Sequence, residues 1–220
     1  MSGKLFIVAS PIGNLEDISF RAVSTLKEVD FILSEDTRET QKILNHFSIS
    51  KPQISYRDQN HQLVINRIKD ILSDGLNLAL LSDRGTPLIS DPGFKLVRDV
   101  INAGFKVESI PGPSSVISAL VVSGLPTDRF IFLGFLPKSE KQRLEMLEKY
   151  GNVESTLILF ESPFRIVKLL EEVKLSLGER DVVVAKELTK LHEEVYRFNL
   201  RELESQKIDT RGEFVVLISK

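Results

Sequence analysis

Short apolar runs alternate with segments of helical periodicity along the first two-thirds of the chain. The strand-like runs are 5–9, 31–34, 54–56, 78–81 and 107–110, and the helix-like segments that follow them are 18–29, 37–47, 63–72, 94–103 and 114–123. Continuous apolar runs, each followed by a helix, are typical of strands that are buried on both faces. The pattern therefore predicts an α/β fold with a mostly parallel sheet in the first part of the chain.

The rhythm changes at a charged, helix-like stretch, 134–150, which we interpret as the join between two lobes. Beyond it the strand-like runs are 155–160, 181–185, 194–198 and 213–218, with fewer helices between them. This spacing predicts a second, mixed sheet. The predicted division is an N-terminal α/β lobe at 1–133 and a C-terminal mixed α/β lobe at 134–220.

Turn residues cluster where the predicted parallel strands end. The four segments concerned are Ser10-Pro11-Ile12-Gly13-Asn14, Glu35-Asp36-Thr37-Arg38, Ser82-Asp83-Arg84-Gly85-Thr86-Pro87 and Pro111-Gly112-Pro113-Ser114-Ser115. In an open parallel sheet, ligands bind in the crevice at the carboxyl ends of the strands. These loops are therefore the candidate binding site.

Helix capping explains only part of the longest of these loops, 82–93. Asp91 followed by Pro92 is a good N-cap with proline at the first helical position. Capping leaves Asp83 and Gly85 unexplained, because an aspartate that ends a buried strand needs a hydrogen-bond partner and a glycine there allows a close backbone approach. We favour a pocket lined by the first half of the loop; the alternative is that Asp83 binds only local backbone amides.

Composition narrows the possible chemistry. The chain has 220 residues, 29 basic against 31 acidic side chains, three histidines and no cysteine. The absence of cysteine excludes disulfides, thiolate nucleophiles and cysteine-based metal sites, and three scattered histidines make a catalytic metal unexpected. A net charge of −2 gives no sign of bulk affinity for nucleic acid, so any basic surface must be local.

Targeting segments and common nucleotide motifs are not found in the sequence. The apolar run near the N-terminus is too short for a secretory core, and no stretch approaches the length of a membrane span, so we expect a cytoplasmic protein without membrane partners. The dinucleotide fingerprint, the P-loop and the nucleophile elbow of hydrolases are also missing.

Seven sequence blocks, in this order, resemble one family: PIGNLEDI at 11–18, EDTR at 35–38, SDRGTPLISDPG at 82–93, PGPS at 111–114, SGLP at 123–126, GFLP at 134–137 and FESPFR at 160–165. They are similar to the bacterial 16S ribosomal RNA cytidine 2′-O-ribose methyltransferases, within the tetrapyrrole-methylase fold class. A closing block, GEFV at 212–215, extends the resemblance over nearly the whole chain.

The resemblance implies a two-lobed tetrapyrrole-methylase fold, S-adenosyl-L-methionine as methyl donor in a cleft between the lobes, and a homodimer. It implies a cytidine ribose in the decoding region of the small ribosomal subunit as the acceptor. The donor-binding positions carried over from the family are Pro11, Gly13, Asn14, Ser82, Asp83, Gly85, Thr86, Pro87, Pro113, Ser114 and Ser115 in the first lobe, and Phe160, Glu161, Lys186, Glu187 and Leu188 in the second.

Three features depart from the family pattern. Arg84 stands where a small residue is usual, and Phe164 where histidine is frequent. The sequence ends at Lys220, directly after the last predicted strand, where family members commonly continue into a helical extension. We expect a changed shape of the donor loop from the first departure and weaker RNA affinity from the last.

A ribose 2′-hydroxyl is a poor nucleophile, so the site must align it and accept its proton. We predict Asp36 and Glu35 as the catalytic carboxylates with Arg38 as their partner; Asp83, Glu161 and Glu187 are further candidates. The alternative for the Glu-Asp-Thr-Arg segment is a capped helix, with Glu39 completing a capping box, and a surface ion pair.

RNA contacts are predicted at Lys138, Lys141, Arg143 and Lys149, although interleaved glutamates also fit an ordinary solvated helix. Two other functions stay open. One is a tetrapyrrole-type small-molecule methyltransferase, and the other is a non-catalytic module that binds the donor or RNA.

Overall fold

The computed structural model describes residues 2–220 and divides the chain between Ser114 and Ser115 into two compact units. The sequence predicted the division at 133/134 instead, and that position lies inside a strand of the second unit, Phe130–Phe135. The charged stretch after that strand is not a linker. It forms a helix, Glu140–Gly151, whose inner side is buried at Arg143, Leu147 and Gly151, while its other charged side chains are exposed.

The first unit contains a five-stranded parallel sheet, as predicted. Its strands are β1 (Lys4–Val8), β2 (Phe31–Ser34), β3 (Gln53–Ser55), β4 (Leu78–Leu81) and β5 (Lys106–Ile110), in the order β3-β2-β4-β1-β5. All the pairings are parallel. The central strand β4 is buried along its whole length, which explains why its sequence is an uninterrupted apolar run.

Helices cover both faces of this sheet. They are α1 (Phe20–Glu28), α2 (Thr37–His46), α3 (His61–Ser73) and α4 (Phe94–Asn102), with a 3₁₀ turn at Leu15–Asp17. Successive strand residues point to opposite faces. Leu78 and Leu80 therefore join the core formed with α3 and α4, whereas Ala79 and Leu81 join the core formed with α1 and α2.

The strand order creates a switch point between β4 and β1. The connection after β1 leads through α1 to β2, and the connection after β4 leads through α4 to β5, in the opposite direction along the sheet. Two neighbouring strands whose helices depart to opposite faces leave a crevice at their carboxyl ends. The polar loops of the sequence meet at this crevice.

The second unit contains the predicted mixed sheet. Its elements are α5 (Ser115–Ser123), β6 (Phe130–Phe135), α6 (Glu140–Gly151), β7 (Thr156–Glu161), α7 (Ile166–Leu177), β8 (Asp181–Lys186), β9 (Glu194–Asn199) and β10 (Phe214–Ile218), with a 3₁₀ segment at Leu200–Ser205. The order is β6-β7-β10-β8-β9, and only the β6–β7 pair among these is parallel. The sequence pattern missed β6, which is half exposed and interrupted by an irregularity between Phe132 and Gly134.

Candidate functional site

The loops after β1 and β4 are joined by a two-bond bridge across the switch point. Ser10 N donates to Gly85 O at 2.8 Å, and Gly85 N donates to Ser10 O at 3.2 Å. Gly85 has a φ of +79°, and a Cβ at this position would lie 3.2 Å from Ile12 Cγ2. Glycine is therefore needed here both for its backbone conformation and for the close approach of the two loops.

The loop after β5 joins the same group. Thr86 Oγ1 donates to Pro113 O at 3.0 Å, and Ala9 N donates to Ile110 O at 3.2 Å. A Cβ on Gly112 would approach the Cβ of Ala9 to 3.0 Å. Three of the four predicted loops, those after β1, β4 and β5, thus form one connected surface in the first unit.

The loop after β2 is tied to this surface through Asp83. Asp83 Oδ1 accepts a hydrogen bond from Asp36 N at 2.9 Å. This is the backbone partner that a carboxylate at the end of a buried strand requires. The Asp83 side chain is half-buried.

Asp36 caps α2 and is held by Arg38. Its Oδ1 accepts Arg38 N at 2.9 Å and Arg38 Nε at 3.0 Å, and its Oδ2 accepts Arg38 Nη2 at 2.6 Å. These hydrogen bonds hold the pKa of Asp36 well below its usual range. Glu39 does not complete the expected capping box, because it pairs with Lys42 at 2.6 Å instead.

Three further carboxyl groups near the ends of β2 and β4 have raised pKa values. Burial is the largest cause for each of Glu35, Asp83 and Asp91. Burial, followed by the charge of Glu35, raises the pKa of Asp91 to about 6, although a hydrogen bond with the Ser82 side chain acts in the opposite direction. At this edge of the sheet, burial therefore favours the protonated form of three acidic side chains.

The prediction that Asp91 caps α4 is wrong. The helix begins at Phe94, its N-cap is Gly93 with a φ of +131°, and this N-cap makes no side-chain capping bond. Leu88 and Ser90, just before Asp91, also have positive φ values of 73° and 64°. Each such non-glycine residue costs about 1 kcal/mol or more. The sequence reads as an ordinary Asp-Pro cap, so Asp91 was missed as a candidate for the site.

The remaining predicted positions of the first unit lie on or beside this surface. Pro11 and Pro87 are buried, whereas Gly13 and Asn14 are exposed. Asn14 Oδ1 accepts Glu16 N at 3.0 Å and caps the 3₁₀ turn. Ser82 is buried, and its hydroxyl lies 3.2 Å from Gly85 O. In the loop after β5, the half-buried residues are Pro113, Ser114 and Ser115. Ser115 is the first residue of α5 in the second unit.

In the second unit, Glu161 ends β7 and is buried. Its Oε1 accepts Ser162 N at 2.6 Å, Arg165 Nε at 2.9 Å and Arg165 Nη2 at 2.8 Å. Its Oε2 is buried and has no hydrogen-bond partner among residues 2–220. Buried carboxylate oxygens are rarely left without a partner. The arrangement indicates a place for a hydrogen-bond donor that the described residues do not supply. Phe160, beside it, contacts Phe132 and Phe135 edge-on or tilted.

The segment 186–188, at the end of β8, is largely buried rather than exposed to solvent. Lys186 is buried, and its Nζ donates to Asp209 at 2.6 Å and to Glu194 at 3.1 Å. Glu187 has a φ of +49°, and its Oε1 accepts Glu213 N at 2.8 Å. Leu188 is buried. Lys186 and Glu187 line one side of a cavity of about 540 Å³ within this unit.

Arg143 does not lie on an RNA-facing surface. It is 4% exposed, and its guanidinium forms a two-bond pair with Glu172 at 2.7 and 2.5 Å. Its third nitrogen donates to the carbonyl oxygens of Pro137 and Lys138. The prediction that Arg143 binds RNA is therefore wrong, whereas Lys138, Lys141 and Lys149 are exposed.

Within residues 2–220, no group of three or more histidine, aspartate or glutamate side chains is arranged to hold a metal ion. Over the same residues, no helix has the length and apolar character needed to cross a membrane.

The model of one protein family, described as tetrapyrrole (corrin/porphyrin) methylases, matches residues 4–204. The chain is 46% identical over 218 residues to the ribosomal RNA small subunit methyltransferase I of Halalkalibacterium halodurans, covering 98% of this chain and 75% of that protein. It is 44% identical over 219 residues to the protein of the same name from Thermotoga maritima, covering 99% and 98%.

Solved structures show the same fold at low sequence identity. Diphthine synthase matches with a TM-score of 0.75 and 16% identity over 100% of this chain and 90% of that one. The uroporphyrin-III C-methyltransferase of Thermus thermophilus, complexed with S-adenosylhomocysteine, matches with a TM-score of 0.66 and 20% identity over 99% and 98%. With the family model and the close relatives, these matches confirm the resemblance seen in the sequence blocks. The chain belongs to the tetrapyrrole methylase family, among proteins named ribosomal RNA small subunit methyltransferase I.

Proposed function

We propose that this protein is a methyltransferase that uses S-adenosyl-L-methionine to methylate the 2′-hydroxyl of a cytidine ribose in 16S ribosomal RNA, in the decoding region of the small subunit. The names of relatives that are 43–48% identical support the ribosomal RNA substrate class. The observation that carries the proposal is the connected surface at the switch point, where the loops after β1, β4 and β5 meet through the Ser10–Gly85 bridge and the Thr86–Pro113 bond.

The residues of this surface fit such a donor. Bound S-adenosyl-L-methionine supplies an electrophilic methyl group on a positively charged sulfonium. Burial and nearby carboxylates raise the pKa values of Glu35, Asp83 and Asp91, and this group of acidic side chains favours a cationic ligand. In the second unit, the unpartnered Glu161 Oε2 fits a hydrogen-bond donor of the ligand.

We assign donor binding to the segments carried over from the family. In the first unit these are Pro11, Gly13, Asn14, Ser82, Asp83, Gly85, Thr86, Pro87, Pro113 and Ser114. In the second unit they are Ser115, Phe160, Glu161, Lys186, Glu187 and Leu188. Lys186 contributes to donor binding indirectly, by positioning the residues around it, because its ammonium group is already bound to Asp209 and Glu194.

In this proposal, the predicted catalytic residues Asp36, Glu35 and Arg38 do not all take part in proton transfer. Asp36 accepts three hydrogen bonds through its own oxygens and stays ionised, so it is a weak base. We assign it to holding Arg38, whose side chain is 84% exposed and suits a phosphate. Asp91 is the better proton acceptor, because general bases work best when their pKa is close to the working pH.

The remaining parts of the proposal concern partners. Lys138, Lys141 and Lys149 are exposed lysines suited to RNA phosphates. A homodimer and a cytoplasmic location follow from the resemblance and the sequence, respectively, and both stay predictions.

The proposal is tested by incubating the protein with methyl-labelled donor and small ribosomal subunits that lack the modification. We expect label at a single cytidine ribose, located by nuclease digestion and mass spectrometry. Parallel reactions contain free 16S ribosomal RNA or a precorrin-type acceptor. Transfer to the precorrin alone would replace the RNA substrate by a small molecule, and donor binding without transfer to any acceptor would favour a non-catalytic module.

A further inference from the structure

The turn after β3, residues 56–61, holds the far end of the loop that carries Asp83 and Asp91. We propose that this turn is a positioning element for the donor-binding loop, and that Asp58 is the residue through which it acts. The inference rests on the donor-binding role given above to the loop 82–93, and it adds residues that neither the motifs nor the predicted catalytic group include.

The loop needs such an anchor because its conformation is unfavourable. Its backbone passes through positive φ at Leu88, Ser90 and Gly93, which is strained at the first two positions. The ionised form of Asp91 is also unfavourable, because burial and, after it, repulsion by Glu35 raise its pKa. Strain and repulsion both favour a relaxed loop, so bonds from outside the loop must oppose them.

Asp58 supplies that bond at the end of the loop. Gly93 N, at the start of α4, donates to Asp58 Oδ1 at 3.2 Å. The N-cap itself makes no side-chain capping bond, so Asp58 performs the capping that the Asp-Pro sequence led us to expect from Asp91. Gly93 is two residues from Asp91, and the Asp58 bond therefore limits where the Asp91 carboxyl can lie.

The turn is braced internally and also holds the neighbouring loop. Asn60 Oδ1 accepts Arg57 N at 2.9 Å, and Asn60 Nδ2 donates to Ser55 O at 3.0 Å. Arg57 Nε donates to Glu35 O at 3.0 Å. One turn therefore contacts both the loop after β2 and the loop after β4, and it sets the positions of Glu35 and Asp91 together.

A buried polar trio connects the turn to α4. His61 Nδ1 and Tyr56 Oη are 3.0 Å apart, and His61 Nε2 lies 3.0 Å from Asp99 Oδ2 on α4. Tyr56 and His61 are 0% and 1% exposed. Burial, and next the charge of Asp58, raises the pKa of the Tyr56 hydroxyl, which stays protonated and can donate. Buried polar groups in such networks are rigid when all are satisfied.

The test compares Asp58→Ala with Asp58→Asn, whose amide oxygen can still accept the hydrogen bond of Gly93. An exposed aspartate at the end of α3 provides the matched control, Asp74→Ala. Hydrogen exchange of the peptide covering 88–94 and calorimetric titration with S-adenosyl-L-methionine are measured for each protein. For Asp58→Ala we expect about fivefold faster exchange and about fivefold weaker donor binding, the effect of one lost hydrogen bond. Asp58→Asn and Asp74→Ala should stay within about twofold of the wild type.

The rate of hydrogen exchange in the peptide 88–94 tests the positioning role of Asp58 without any ligand. Wild-type exchange in Asp58→Ala would overturn it, and so would equal loosening in Asp58→Asn, which would indicate loss of charge rather than of the anchor. A wild-type protein that binds no donor would overturn the proposed function instead. Tyr56→Phe, which removes one hydroxyl and keeps the ring, should loosen the same peptide in the same direction if Asp58→Ala does not fold.

Discussion

Replacing Asp91 by asparagine should make the protein more stable at neutral pH and less active. Asp91 is half-buried beside Ser82, close to the charges of Glu35 and Asp83, and these surroundings raise its pKa to about 6 from an ordinary value of 3.8. Ionised Asp91 therefore destabilises the folded protein. Asparagine keeps the shape and the hydrogen bonding of the side chain but carries no charge.

The size of the effect follows from the difference between the two pKa values. A difference of about two pH units corresponds to roughly 3 kcal/mol. Because the carboxyl is partly open to water, solvent screening reduces this to about 1–2 kcal/mol. The folded state binds the proton more tightly than the unfolded state does. Ionisation of Asp91 therefore costs no stability below about pH 4, where both states are protonated. The cost grows as the pH rises from about 4 and is complete once the pH has passed through about 6.

Urea unfolding at pH 4.5 and pH 7.5 measures the prediction. Asp91→Asn should exceed the free energy of unfolding of the wild type by about 1–2 kcal/mol at pH 7.5 and by about a third of that, roughly 0.3–0.7 kcal/mol, at pH 4.5. Methyl transfer to small subunits should fall about 100-fold or more, the range for loss of a general base. A control variant, Asp74→Asn, should change neither quantity. A difference in stability that is the same at both pH values would refute the electrostatic reasoning.

Three other substitutions, with Lys141→Ala as a control, test separate parts of the structure. Gly85→Ala should destabilise the protein by about 1–2 kcal/mol, because φ is +79° at this position, and should weaken donor binding. Thermal unfolding measures the first effect and calorimetric titration the second. A variant with unchanged stability and affinity would mean that the two loops are not held together at this bridge. Arg143→Ala removes both short hydrogen bonds of the buried Glu172 carboxylate and leaves it only Lys168, whose Nζ lies 3.8 Å from Oε1. We expect a loss of about 3 kcal/mol in urea unfolding, whereas Lys141→Ala at an exposed position should stay within about 0.5 kcal/mol. Similar values for both variants would contradict the burial of Arg143. Glu161→Gln should weaken donor binding about tenfold, as expected for loss of a charged hydrogen-bond acceptor, and donor affinity equal to the wild type would remove Glu161 from the site.

The sequence by itself determined the elements whose signals are local. The apolar runs at 31–34 and 78–81 coincide with β2 and β4 residue by residue, because a strand buried on both faces needs an uninterrupted run of apolar side chains. The same reasoning located the polar loops at the carboxyl ends of parallel strands, and their ordered motifs were sufficient to indicate the family. Strand β6 was missed because it is partly exposed and irregular, so its local pattern is weak.

Tertiary structure alone decided what the individual polar side chains do. Asp91 looks like a cap in the sequence, but the capping partner of Gly93 is Asp58, 35 residues away along the chain. Arg143 looks like one more surface cation, but its partner Glu172 is 29 residues away and buries it. A charged side chain gains its pKa, its exposure and its function from such distant partners, and those partners are brought near only when the chain folds.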